Sequence, residues 1–341
     1  MNKKKVLIIT SIILIIVIII ILIVLSSKDN KTYAIGDTLA ETVIAQSKGD
    51  TWNAGASGVY YTNNHEYRYV GANVNNYVSF NNDLYRIIGV FDSNSHGQEG
   101  KMLVKLIRSR ILGSYSYGVQ NDTSNNYSTY SNDFTIGNMN KLLNNNFYGK
   151  NSEGCSVLTY YNNNTNYRTN DCTDIVGYGI DPSLQNYIET VTWYLYGYSS
   201  SNYSKQNFYL CERGGNSCTG ANGTTEESKV KVQNKIGLMY VSDYLYASGY
   251  FSSSSTTNAT SQNYGNQNWL YKGIEWTITP RSDNSSPAFY VNYNGLVSSY
   301  GLASIGYGAR PTFYLKSSVY VTGGTGTFSD PYTISCDDCN I

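Results

Sequence analysis

Six cysteines and two histidines hold the most versatile chemistry of this 341-residue chain: Cys155, Cys172, Cys211, Cys218, Cys336 and Cys339, with His65 and His96. The cysteines fall as three successive pairs at short spacing, Cys155 with Cys172, Cys211 with Cys218 and Cys336 with Cys339. They read as disulfide candidates that staple local loops, although spacing alone leaves other pairings open. A structural zinc needs a full tetrahedral ligand set. Cys336-Asp337-Asp338-Cys339 has no second C-x-x-C or H-x-H pair to complete one, so no metal site is expected. The same C-x-x-C also lacks the strand-to-helix setting of a thiol redox pair. Both histidines stand in polar, loop-like contexts.

Charges inside otherwise apolar segments are the next candidates: Glu212-Arg213, Asp243 and Arg310. Such charges either line a ligand pocket or pair locally and fix register, because a buried charge must be compensated. Trp193, Trp269 and Trp276 have faces that could stack on sugar rings, but a tryptophan in a strand-like context is first a core residue. Two facing carboxylates of the glycosidase kind cannot be located among so few acids. Gly323-Gly324-Thr325-Gly326-Thr327 has neither the lysine nor the following helix of a phosphate loop, and reads as turns. The sequence therefore presents no recognisable catalytic constellation and calls for no cofactor. Its ligand-binding candidates are Trp193, Glu212, Arg213, Asp243 and Trp269.

Composition narrows the partners. Lysine plus arginine and aspartate plus glutamate each number 24, so the formal charge is zero, and charged residues are only 14% of the chain. No electrostatic footprint for nucleic acid is present. Polarity comes instead from Asn, Ser, Thr and Gly together with 35 Tyr. That mixture resembles antibody binding loops, but AT-rich codon usage is the leading account of it.

These residues need positioning elements, and the first is a membrane anchor. Residues 6 to 25 carry no charge and follow Lys3, Lys4 and Lys5. As a helix this stretch would span roughly 30 Å, the thickness of the hydrocarbon layer. A cleaved signal is the rival reading, but the apolar run is long for one and Val24-Leu25-Ser26 is a poor cleavage site. The lysine bias predicts a single-pass signal-anchor with a cytoplasmic stub (1–5) and the bulk of the chain outside the cell membrane, at the cell surface. Disulfides persist in that compartment. A spacer with a short helix (26–56), an extracellular β-rich domain (57–335) and a C-terminal tail (336–341) would follow.

Within that domain the spacing predicts a helix over 38–46, with Thr38 and Glu41 as a capping box. An antiparallel meander is predicted from Tyr77–Phe80, Leu84–Phe91 and Met102–Arg108. Further helices are predicted over Ile136–Asn145 and Pro182–Thr190, the latter with Asp181 as N-cap. Asn- and Tyr-rich stretches from Gly118 to Asn132 and from Tyr160 to Asn170 read as loops, and Gly249–Asn268 as a polar excursion. Strands are predicted at Trp193–Tyr198, Ile236–Tyr240, Trp276–Thr279, Ala288–Val291, Leu296–Ser299 and Thr312–Leu315.

Several segments carry a resemblance. Tyr67–Asn73, Asn76–Phe80, Leu84–Phe91, Lys235–Tyr240 with Ser242-Asp243-Tyr244, Asn268-Trp269-Leu270, Trp276–Pro280, and Ala309-Arg310-Pro311 with Tyr314-Leu315-Lys316 run in order over most of the chain. Together they resemble an uncharacterised domain of surface proteins from low-GC Gram-positive gut bacteria. The C-terminal part of that family is similar to C-type-lectin-like domains of the kind found in formylglycine-generating enzymes. The resemblance implies a Trp-containing strand at Trp276–Pro280, a strand-turn-strand at Ala288–Val297 and a final strand after Gly308-Ala309-Arg310-Pro311. The calcium-ligand triplets of sugar-binding C-type lectins are missing. So is the cysteine pair that the oxidative enzymes use in this part of the fold. Ile8-Ile9-Thr10-Ser11 also departs from the prepilin pattern of many relatives.

The expectation is thus an α+β fold, mainly antiparallel β with a few short helices, a C-type-lectin-like core and one N-terminal transmembrane helix. The function expected of it is an uncharacterised binding or adhesion module for extracellular glycan or protein. A cell-envelope enzyme on the same scaffold and a pilus-like structural subunit are the alternatives.

Overall fold

Thr38 and Glu41 form the capping box that their spacing predicts. The Glu41 amide donates to Thr38 Oγ1 at 3.2 Å and the Thr38 amide donates to Glu41 Oε2 at 2.9 Å, starting the helix Leu39–Ile44. Leu39 and Val43 are fully buried from it. The computed structural model describes residues 36–118, 131–152, 159–162, 166–169, 173–199, 204–215, 217–254 and 265–339. The chain divides into two compact units, 1–37 and 38–341. The predicted anchor Val6–Leu25 lies outside the described residues, and among the described residues no helix is long and apolar enough to cross a membrane.

The second unit is mixed α+β, with mainly antiparallel strands and short helices. Its N-terminal strands are β1 (Gly58–Tyr61), β2 (Tyr67–Val70), β3 (Tyr77–Phe80), β4 (Asp83–Phe91), β5 (Leu103–Arg108) and β6 (Ser114–Ser116). The predicted meander is β3, β4 and β5. Strand β4 is long enough to pair on one side with two partners, its first half with β3 and its second half with β2. Gly89 permits the second pairing, since a Cβ there would stand on the Tyr67 carbonyl oxygen.

Next come β7 (Thr159–Asn162) and β8 (Asn166–Thr169), then β9 (Val191–Tyr194), β10 (Lys231–Asn234) and β11 (Ile236–Gly237). The pairing of β7 with β8 corrects the loop reading of Tyr160–Asn170. Tyr and Thr favour the strand conformation there, and the two runs pair antiparallel from Thr159 opposite Thr169 to Asn162 opposite Asn166. The final third is β12 (Glu275–Pro280), β13 (Pro287–Val291), β14 (Val297–Leu302), β15 (Gly306–Gly308), β16 (Thr312–Tyr314), β17 (Tyr320–Gly323) and β18 (Thr333–Ser335). One sheet orders β1-β2-β4-β5-β16-β11, with β3 also on β4, and every pairing in it is antiparallel. The other large sheet orders β14-β13-β12-β15-β6, with β12 and β15 parallel.

Helices depart from expectation more than strands do. The Ile136–Asn145 prediction resolves into an α-turn, Asn138–Lys141, that widens into a π-helix over Leu142–Tyr148. Pro182–Tyr187 is a 3₁₀ helix, capped as predicted by Asp181, whose Oδ1 accepts from the Ser183 amide at 3.0 Å. The predicted strand Ile236–Tyr240 stops at Gly237. Asp243 Oδ2 accepts from the Tyr240 amide at 2.9 Å, and that cap starts a helix over Val241–Tyr246. A further helix, Lys205–Glu212, begins where Ser204 Oγ accepts from the Asn207 amide at 3.1 Å.

Disulfides join Cys211 to Cys218 and Cys336 to Cys339. Cys155 and Cys172 lie outside the described residues. Cys336 and Cys339 are buried in the main hydrophobic core.

Candidate functional site

The helices Lys205–Glu212 and Val241–Tyr246 pack on one another, and each carries polar residues at both ends. One pair of ends faces an ion cluster over β2 and β5. The other pair faces an open pocket.

The cluster is built on Asp243. Its Oδ1 accepts from Arg68 Nη1 at 2.9 Å and its Oδ2 accepts from Lys105 Nζ at 2.6 Å. Arg68 also donates from Nε to Glu66 Oε2 at 2.8 Å. Glu66 Oε1 takes the Ser95 hydroxyl, and the same hydroxyl oxygen accepts from Arg213 Nη2 at 2.7 Å. Glu212 Oε1 accepts from Thr279 Oγ1 at 2.6 Å, while its Oε2 lies 3.7 Å from Arg213 Nη1. Arg68, Lys105 and Arg213 thus balance Glu66, Glu212 and Asp243, so the cluster is neutral overall. The Lys105 ammonium lies between 4.5 and 5.4 Å from the ring centroids of Tyr240, Trp193, Tyr314 and Phe91. Cations favour such ring faces, and more strongly when dry.

Burial alone would raise the Asp243 carboxyl, but Lys105 and Arg68 overcome it and hold the group at about 2. Burial pulls Lys105 down to about 8 against the pull of Asp243. Burial also raises Glu212, with Arg213 opposing. His96 is fully buried, contrary to its loop-like reading. It sits at the end of the short helix Ser93–His96 against the Tyr314 ring, and burial lowers it to about 4.

Three of the five sequence-predicted ligand candidates therefore meet in this one cluster: Glu212, Arg213 and Asp243. Trp193 is part of the aromatic wall around Lys105. Trp269 lies elsewhere, stacked on Arg86 with the guanidinium carbon 4.5 Å from its ring centroid, while Arg86 donates to Asn76 Oδ1 and to the carbonyls of Trp269 and Val74. Trp193 and Trp269 are buried, and neither lines the open pocket. Arg310 forms a two-point ion pair with Glu275, with its Nη2 also donating to the Leu270 carbonyl at 2.6 Å.

The pocket, of about 340 Å³, is lined by Trp52, Thr62, Asn63, Lys205, Gln206 and Tyr246, and equally by Asp50, Thr51, Ser253 and Ser254. Its polar wall is fixed by a closed set of hydrogen bonds. The Tyr246 hydroxyl donates to Gln206 Oε1 at 2.7 Å, Gln206 Nε2 donates to Asn64 Oδ1 at 3.1 Å, and Asn64 Nδ2 donates back to the Tyr246 oxygen at 3.1 Å. Trp52 is anchored by donating from Nε1 to the Phe251 carbonyl at 3.0 Å, with Tyr60 packed against its ring. The Lys205 ammonium lies 4.8 Å from the Trp52 centroid and 5.4 Å from that of Tyr246. Tyr246 joins the two regions, because its ring also covers the Arg68 guanidinium, 4.9 Å from the centroid.

Trp52, Lys205 and Tyr246 escaped the sequence reading. A signal exists for Lys205: no acid stands within four residues of it, so it has no helical ion-pair partner. Among the described residues no group of His, Cys, Asp and Glu could hold a metal ion. Compared with known proteins, the chain matches no family model, no curated protein and no solved structure.

Proposed function

We propose that this chain is a surface binding module for extracellular glycan, held outside the cell membrane by a single-pass anchor at Val6–Leu25. The observation that carries the binding role is the pocket between Trp52 and Tyr246. It is concave, it is walled by two anchored aromatic rings, and it is edged with hydroxyl and amide groups suited to sugar hydroxyls. The buried ion cluster behind it is a scaffold: it locks the two helices that present Lys205, Gln206 and Tyr246 to the pocket.

A C-type-lectin-like core belongs to the same reading. It is supported by the Trp276-bearing strand β12, its hairpin neighbours β13 and β14, and the buried Arg310-Pro311 step before β16. The anchor is supported by the uncharged length of residues 6 to 25 behind three lysines.

The test is a glycan array probed with residues 38–341, run beside a panel of extracellular-matrix proteins. Binding to at least one sugar class, lost in Trp52→Ala, is the expected result. A blank array with matrix proteins bound would move the reading to a protein ligand.

A further inference from the structure

We propose that the Trp52–Tyr246 pocket selects a sugar bearing a carboxylate, with the Lys205 ammonium as its counter-charge. This rests on the glycan-binding reading of the same pocket.

The argument begins with how other cations of the domain are satisfied. Arg68, Lys105, Arg213 and Arg310 each face a carboxylate within 4 Å. Arg86 has no acid but is closed in by an amide oxygen, two carbonyls and two rings. Among the described residues Lys205 has neither arrangement. It donates to the Ser252 carbonyl at 2.9 Å, and no charged group figures in its electrostatic surroundings. A lysine carries three N–H donors, so among the described residues two remain to point at a ligand. The flanking Trp52 and Tyr246 rings favour the cation and hold its flexible stem in place, which reduces the entropy lost when an anion docks.

The pocket's size and walls suggest the rest of the ligand. About 340 Å³ is at the small end of ligand sites, room for a sugar unit rather than a folded peptide segment. Thr51, Thr62, Asn63, Ser253 and Ser254 supply the neutral donors and acceptors that ring hydroxyls use. Lys205 and Gln206 are also the first two residues of their helix, so the positive end of its dipole opens on the same space.

Titration follows from these neighbours. Burial brings Lys205 down to about 8, so its charge is lost in the mildly alkaline range. Asp50, from the segment before β1, is the acid in the lining. Tyr246, from the facing helix, is raised to about 12 mainly by burial and stays neutral. The other lining segments, Thr62-Asn63 and Ser253-Ser254, carry no charge. Affinity for an acidic sugar therefore falls as pH rises through about 8, and affinity for a neutral one does not.

The experiment uses the full chain in lipid nanodiscs and calorimetric titration with two matched pairs of probes: methyl glucuronide against methyl glucoside, and methyl galacturonide against methyl galactoside. Expected is a uronide that binds at least about tenfold more tightly than its neutral partner near pH 6, with the preference fading by about pH 9. Lys205→Met should bring the two affinities together, and Lys205→Arg should keep part of the preference. If Lys205→Met does not fold, Lys205→Gln and the wild-type pH series carry the same comparison. Equal binding of acidic and neutral partners overturns the inference and leaves the glycan reading standing. No binding of either uronide overturns it as well, and the glycan array then decides the broader reading independently.

Discussion

Asp243 answers two cations at once: its Oδ2 lies 2.6 Å from the Lys105 ammonium and its Oδ1 lies 2.9 Å from the Arg68 guanidinium, with all three side chains buried. The same carboxylate caps the helix that carries it, through the Tyr240 amide. One side chain thus ties β2, β5 and the Val241–Tyr246 helix together.

Asp243→Asn should be among the most damaging single changes in the domain. Among the described residues it leaves Lys105 buried without a carboxylate partner and Arg68 with Glu66 alone, and breaking such pairs costs about 3–5 kcal/mol. Chemical denaturation of residues 38–341 measures this; a loss below about 1 kcal/mol would show the cluster to be energetically neutral.

Acid should unfold the domain partly through the same group. Asp243 is held at about 2 in the folded state against an ordinary value near 4, so the unfolded chain binds more protons between those pH values. Its stabilisation is complete above about pH 4 and is lost as pH falls toward about 2, an effect of about 2–3 kcal/mol. Glu212 and Glu275, raised mainly by burial, contribute with the opposite sign. The difference between wild-type and Asp243→Asn stability curves over this range isolates the aspartate, and parallel curves would refute the assignment.

Gly237 lets β11 lie against Trp193. A Cβ there would come within 2.6 Å of the indole, which is buried and hemmed in by Tyr240 and Tyr314. Gly237→Ala should cost about 1–3 kcal/mol by overpacking. It should also change the near-ultraviolet circular dichroism as the indole shifts; an unaltered spectrum and midpoint would argue against this contact.

The Cys211–Cys218 disulfide closes the segment just after the helix that ends in Glu212 and Arg213. Replacing both cysteines by serine should lower stability by about 2–3 kcal/mol, as expected for a short closed loop. Hydrogen exchange should locate the loosening at residues 210–218, and faster exchange spread evenly over the domain would contradict a local staple.

Much of the strand content is legible because alternation and turn residues mark it locally, as at Leu84–Phe91 or Ala288–Val291. The Thr38–Glu41 capping box is legible for the same reason. The helix Val241–Tyr246 is not, because six residues are too few to show a helical period and its start appears only when Asp243 is seen to cap Tyr240. Glu212, Arg213 and Asp243 stand out as charges in apolar sequence, but their mutual contact depends on partners at Glu66, Arg68 and Lys105. The pocket is the least legible feature. Trp52, Lys205 and Tyr246 are far apart in the chain and meet only after both helices have docked.

Strand β16 lies between β5 and β11, and Tyr314 pairs across from Lys105. A chain made from its N-terminus therefore carries β4 and β5 for most of its synthesis with one β5 edge open. The acid that neutralises Lys105 is also 138 positions away in sequence. Such late closure makes for slow folding and leaves a bare strand edge exposed to other unfinished chains. For this molecule, when Thr312–Tyr314 arrives matters as much as where it goes.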